Sequence, residues 1–132
     1  MSKFFKRNNC MITYEIMTKK TAKFYVSHFH LEGMSESQMI CYIDLIETRK
    51  NFRNAGQARY ALNEFLSEMN KSGVYGVFLF ANYDCSYYRN YDNNGLLKLI
   101  TFYKSFGFEI SNDINLKTID NSCQVDMHRI TM

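Results

Sequence analysis

The sequence predicts a mixed α/β fold, a single mostly antiparallel sheet with helices packed on it, in one domain over residues 1–132. Three observations carry that expectation. Several stretches are dense in β-branched and aromatic residues, which suit a pleated, half-buried surface. After residue 48 the apolar period changes from that of a strand to that of a helix. A nearly continuous apolar run then follows, the pattern of a strand buried on both faces.

The elements follow in order. MITYEIM (11–17) and AKFYVSHFHL (22–31) read as strands joined by TKKT, a link short enough for a hairpin. EGMSES reads as a turn, and QMICYIDLIET (38–48) as a third strand. Ala58, Ala61, Leu62, Phe65, Leu66 and Met69 form one apolar helical face, with Gly73 as its stop. GVFLFAN (76–82) is the buried strand. YDCSYYRNYDNNG (83–95) is a long polar loop, of the kind that tends to be functional or mobile. LLKLITFYKSF (96–106) is a second helix, with Leu96, Leu99, Ile100 and Tyr103 on one stripe. GFEIS (107–111) and QVDMHRITM (124–132) supply the last strands. The order is β-β-β-α-β-α-β-β. A right-handed crossover makes the third and fourth strands parallel neighbours, and antiparallel hairpins join the rest.

Composition narrows the function classes. The 16 Lys and Arg against 13 Asp and Glu leave a formal charge of +3. That is too mild to argue for nucleic acid but is compatible with an anionic ligand. Cys10, Cys41, Cys85 and Cys123 form no C-x-x-C pair and read as free thiols in a reducing compartment. The longest apolar run, Val74 to Ala81, is too short to span a bilayer. The start, MSKFFKRNN, lacks the apolar core of a secretory signal, so the cytoplasm is the expected location.

The chemistry concentrates in NFRNAGQARYALNEF (51–65). Arg53, Gly56 and Ala58 lie where the third strand gives way to a helix. The first N–H groups of a helix have no intrahelical partner, and that end carries about half a positive charge. Glycine lets a ligand approach the backbone, alanine keeps the first turn small, and the arginine adds a charged donor. The construction suits a pyrophosphate. Alone it also reads as a plain helix-initiating turn.

One strand and one helix further on stands ITFYKSFGFE (100–109). R-x-x-G-x-A followed by aromatic-Tyr-x-x-x-Gly-Phe at a helix-to-strand junction resembles the GCN5-related N-acetyltransferase (GNAT) superfamily, over residues 38 to about 111. The resemblance implies splayed parallel central strands with a thioester entering the gap. It implies that the strand end at Ile46 to Thr48 hydrogen-bonds the pantetheine arm, and that the amides of Arg53, Asn54, Ala55, Gly56, Gln57 and Ala58 hold the pyrophosphate of acetyl-CoA. Tyr103 falls at the position that protonates the leaving thiolate, while Phe102, Phe106 and Phe108 pack. Tyrosine, with an ordinary pKa of about 10, suits that role.

The base is open between three carboxylates and a water chain. Asp44 and Glu47 on the third strand point to opposite faces, because strand side chains alternate, so only one can face the cleft; Asp84 follows the fourth strand. Glu47 is the preferred candidate. The family usually begins with a strand and one or two helices that wall the acceptor site. No helix is expected here before residue 55, so the chain reads as a compact version starting near the family's second strand. The acceptor wall then falls to loop 83–95 or to a second subunit, as in a homodimer. Asn82, Asn93 and Asn94 compete for the family's cofactor-contacting asparagine.

His28 and His30 share a strand face but have no third ligand at a recognisable spacing, so no metal is expected. YYRNYDNN could stack bases, but its charge is too low for tight nucleic-acid binding. The resemblance therefore implies direct acetyl transfer from acetyl-CoA to a primary amine, on a protein lysine or a small molecule, with no covalent enzyme intermediate. The size and the resemblance suggest compact members of phages and mobile elements, where a host or defence protein can be the target. The alternative is a non-catalytic module on the same fold that holds a protein partner or an acyl-CoA.

Overall fold

The computed structural model describes residues 2–24, 33–48, 56–82, 94–111, 116–117, 119–120 and 123–130. In chain order these contain β1 (Lys3–Arg7), β2 (Cys10–Thr18), α1 (Lys19–Ala22), β3 (Met39–Thr48), α2 (Gln57–Ser72), β4 (Gly76–Asn82), α3 (Gly95–Lys104), β5 (Glu109–Ile110) and β6 (Gln124–Ile130). The six strands form one sheet in the order β1-β2-β3-β4-β6-β5. Only β3 and β4 pair in parallel; every other pairing is antiparallel. The fold class and the parallel pairing of β3 with β4 are as the sequence predicts.

The N-terminal third departs from the expected order. A strand at Lys3–Arg7 pairs with β2 through Asn8 and Asn9, and Asn8 takes the left-handed conformation at φ 53° that such a tight turn favours. TKKT is not a hairpin link. Thr18 caps a one-turn helix, its hydroxyl accepting from the Thr21 amide at 3.3 Å. Ala22, read as the start of a strand, ends that helix and is fully buried. A helix therefore does precede residue 55. Residues 25–31 of the expected strand, with His28 and His30, lie outside the described residues, as do Cys85 and most of the loop 83–95.

Two apolar layers hold the sheet. On one face α2 presents Ala61, Leu62, Phe65, Leu66 and Met69, the stripe read from the sequence. Phe65 stands edge-on to Phe5 and Tyr14, with centroids 5.3 and 4.9 Å away. Leu96 and Ile100 of α3 join the same core above Leu79, Val125 and Met127. On the other face Met17, Ala22, Met34, Ile40 and Phe78 form a smaller core. Gly73 ends α2 in the left-handed conformation at φ 78°.

Gly76 opens β4 against β6, and a Cβ there would stand 2.8 Å from the Arg129 carbonyl oxygen. Backbone cannot swing aside as a side chain can. Gly76→Ala is expected to cost about 1–3 kcal/mol, read as a lower denaturant midpoint at unchanged slope.

Candidate active site

The site is built where β3 and β4 part. Their ladder covers only Cys41–Val77, Tyr42–Phe78 and Ile43–Leu79, although β3 runs on to Thr48 and β4 to Asn82. Beyond Ile43 and Leu79 the facing edges have no strand partner among the described residues. A parallel pair that opens in this way leaves a wedge lined by backbone hydrogen-bonding groups.

A bulge marks the point of opening. Tyr14 of β2 faces Ile43, but Thr13 faces Leu45, so Asp44 is an extra residue in β3. A bulge inserts one residue and re-aims its strand, often beside an active site. It also resets which residues share a face. Before it, Cys41 and Ile43 lie under α2; after it, Ile46 packs into that core and Thr48 takes the register position across from Cys10. Regular alternation puts Asp44 and Glu47 on opposite faces, and the bulge interrupts that alternation at Asp44. Asp44 accepts a hydrogen bond from the Tyr42 hydroxyl at 3.4 Å. Glu47 holds the register position across from Met11 of β2. Tyr42 stacks on Phe78 at 4.9 Å and meets Phe80 edge-on at 5.6 Å, making an aromatic floor beside Asp44.

The start of α2 is the second part. Gly56 occupies the N-cap in the left-handed conformation, φ 79°, with no side-chain cap. The Tyr60 amide donates to the Gly56 carbonyl at 3.0 Å, which begins the helical ladder. The amides of Gln57, Ala58 and Arg59 precede it. No acidic residue lies in the first turn to offset the positive end of the helix. A Cβ at Gly56 would meet no atom within 4 Å. Among the described residues the end has no side-chain cap and carries the positive end of the helix dipole, which fits an anion held by backbone N–H groups. Arg53, Asn54 and Ala55 lie outside the described residues.

Tyr103 is the third candidate. It sits near the end of α3, partly buried against the main core, with its ring edge-on to Phe102 at 5.5 Å and to Phe108 at 5.9 Å. Its carbonyl accepts from the amides of Phe106 and Phe108, which fixes the turn through Gly107 at φ 89°. Phe106 and Phe108 are buried, the packing role expected of them.

Arg59 is a residue that local sequence reading does not single out. Its guanidinium lies over the rings of Phe102 and Phe106, 5.2 and 4.9 Å from their centroids, and its Nη1 donates to Ser105 Oγ at 3.2 Å. The contact spans the sequence from the first turn of α2 to the end of α3.

Cys41 is fully buried under α2, and burial holds its thiol far above the ordinary thiol range. Burial of this kind disfavours the thiolate, the form that acts as a nucleophile. Cys10, Cys41 and Cys123 are free thiols. The described residues contain no cluster of three metal-binding side chains, and no helix among them is long and apolar enough to cross a membrane.

No family model matches the sequence, and no curated protein matches it significantly. Solved structures do match the fold. Arabidopsis thaliana NAA60 in complex with acetyl-CoA aligns at TM-score 0.56 and 17% identity, over 91% of this chain and 62% of that one. Arabidopsis thaliana Naa50 in complex with the bisubstrate analogue CoA-Ac-MVNAL aligns at TM-score 0.55 and 19% identity, over 91% and 64%. The NatC complex bound to Gag peptide and CoA aligns at TM-score 0.60 and 11% identity, over 94% and 62%. The chain thus spans a little over three fifths of the length of these proteins. With parallel strands that part beside a bulge, a glycine-started helix following them in the chain, and these matches, the chain has the fold of the GCN5-related N-acetyltransferases.

Proposed function

We propose that the chain is an acetyl-CoA-dependent N-acetyltransferase that passes the acetyl group directly to a primary amine. One observation supports this reading: α2, the next described element after β3, starts at an uncapped, left-handed Gly56, and the parallel pairing of β3 with β4 ends at Ile43 and Leu79. The amides of residues 53–58 hold the pyrophosphate, and the free edge of β3 at Ile46 to Thr48 receives the pantetheine arm. Both tasks need backbone donors and acceptors without other partners, which an open strand edge and a helix start supply.

The reaction needs three proton transfers. The acceptor ammonium gives a proton to a carboxylate on β3, and its nitrogen attacks the thioester carbonyl carbon. The tetrahedral oxyanion collapses, the carbon–sulfur bond breaks, and the thiolate takes a proton from the Tyr103 hydroxyl; the nitrogen's second proton, lost as the neutral amide forms, restores that hydroxyl through water. Glu47 is the proposed base. Asp44, beside Tyr42, is its rival, because the bulge brings it to the parting of the strands. Replacing each by its amide separates them: the base is the one whose loss removes the acidic limb of the pH profile of kcat/KM. The buried Cys41, its thiolate disfavoured, supports direct transfer over a covalent route.

An acceptor carried on a polypeptide is favoured over a small molecule, since two of the matching structures hold peptides or a peptide-bearing analogue. The first test is thermal unfolding with acetyl-CoA and with free CoA. At about a hundred times its dissociation constant a ligand adds roughly 2.7 kcal/mol, a rise of several degrees for this chain length. A rise with both ligands is the expected result. No rise with either sinks the reading.

A further inference from the structure

We propose that Arg59 is a positioning residue that ties the phosphate-binding turn of α2 to the end of α3 that carries Tyr103, so that filling one orders the other. The inference rests on the acetyl-CoA reading of the α2 start.

Arg59 belongs to both parts at once. Its backbone amide is the last before the helical ladder begins at Tyr60, so it lies in the turn that would receive the phosphates. Its side chain points to α3, lying over Phe102 and Phe106 and donating to Ser105 Oγ. The Ser105 hydroxyl in turn donates to the Phe102 carbonyl at 2.6 Å. These groups bracket Tyr103, whose ring meets Phe102. A shift of the first turn of α2 is therefore passed through a planar guanidinium to the backbone on either side of the proposed acid.

The placement is unfavourable for α2 taken alone. A cation in a first turn opposes the helix dipole, and no acidic residue there compensates. The same cation at the end of α3 sits where a dipole favours it. Arg59 thus serves α3 and a bound anion better than its own helix. A lysine could keep the charge, but it has no planar fork to cover two rings and reach a hydroxyl.

The test is backbone hydrogen exchange on the whole chain, with and without free CoA, for the wild type, Arg59→Lys and Arg59→Ala. In the wild type CoA is expected to slow exchange about tenfold or more both at residues 57–60 and at 105–108. In both variants CoA still protects 57–60, but the protection at 105–108 is lost. Arg59→Lys keeps CoA affinity within about threefold while losing that second protection, because charge without planarity does not carry the coupling. Equal CoA-dependent protection at 105–108 in the wild type and Arg59→Lys overturns the proposal. So does a wild type protected at 57–60 alone. If CoA protects neither segment in the wild type, the acetyl-CoA reading fails and the inference with it.

Discussion

Tyr103→Phe is expected to lower turnover by about a hundred- to ten-thousandfold while acetyl-CoA affinity stays within about twofold, the range general-acid catalysis supplies. The change removes one oxygen and keeps the ring. Tyr103 packs by that ring, edge-on to Phe102 and Phe108 and partly buried in the main core. Phenylalanine fills the same space, so α3 and the turn through Gly107 should hold. Stability should fall by no more than about 1 kcal/mol, the usual worth of a hydroxyl hydrogen bond. What is lost is the proton for the departing thiolate. A drop in kcat matched by an equal drop in kcat/KM marks an interaction made only in the transition state. Turnover that survives unchanged would mean that the thiolate is protonated by water. A chain with no turnover in any variant, yet with a thermal shift from CoA, would be a binding module on this fold.

How much of this was legible in the sequence depends on how local each feature is. The stripe from Ala58 to Met69 and the stop at Gly73 define α2 within one window, and the crossover rule then makes β3 and β4 parallel neighbours. The first strand is less legible because KFFKR is short and charged on both faces; the two asparagines that follow were its best signal. AKFYVSHFHL has strand propensity, but Thr18 offers the backbone a helix cap just before it, and Ala22 is small enough to pack against Met17 and Met34. The bulge left a trace as well. Cys41 and Ile43 keep one phase, and the adjacent Leu45 and Ile46 break it. An extra residue in a strand shows as a slip in alternation, and here it falls on Asp44, a candidate for the chemistry. The Arg59 contact could not be read locally, because its partners lie on α3 and meet it only in the folded chain.

Gly56 allows a test that separates charge from shape. Asparagine and aspartate have nearly the same size, and both tolerate the left-handed conformation better than other non-glycine residues. At φ 79°, with open space around the Cβ position, Gly56→Asn and Gly56→Asp should fold alike, each losing about 1 kcal/mol to backbone strain. They differ by one negative charge at the positive end of α2. If that end is only a turn, the aspartate is harmless, and a carboxylate near a helix start is mildly stabilising. If it holds a pyrophosphate, the aspartate competes for the same amides and repels the ligand. A unit charge about 5 Å from another at the effective dielectric of a protein surface costs about 3 kcal/mol, so Gly56→Asp should bind CoA roughly a hundredfold more weakly than Gly56→Asn. Raising the ionic strength should narrow that gap, since exposed charges are screened. The two effects have opposite signs, a steadier helix and a weaker ligand, and a loss of fold cannot produce both. Equal CoA affinity in the two variants would remove the phosphate from the start of α2.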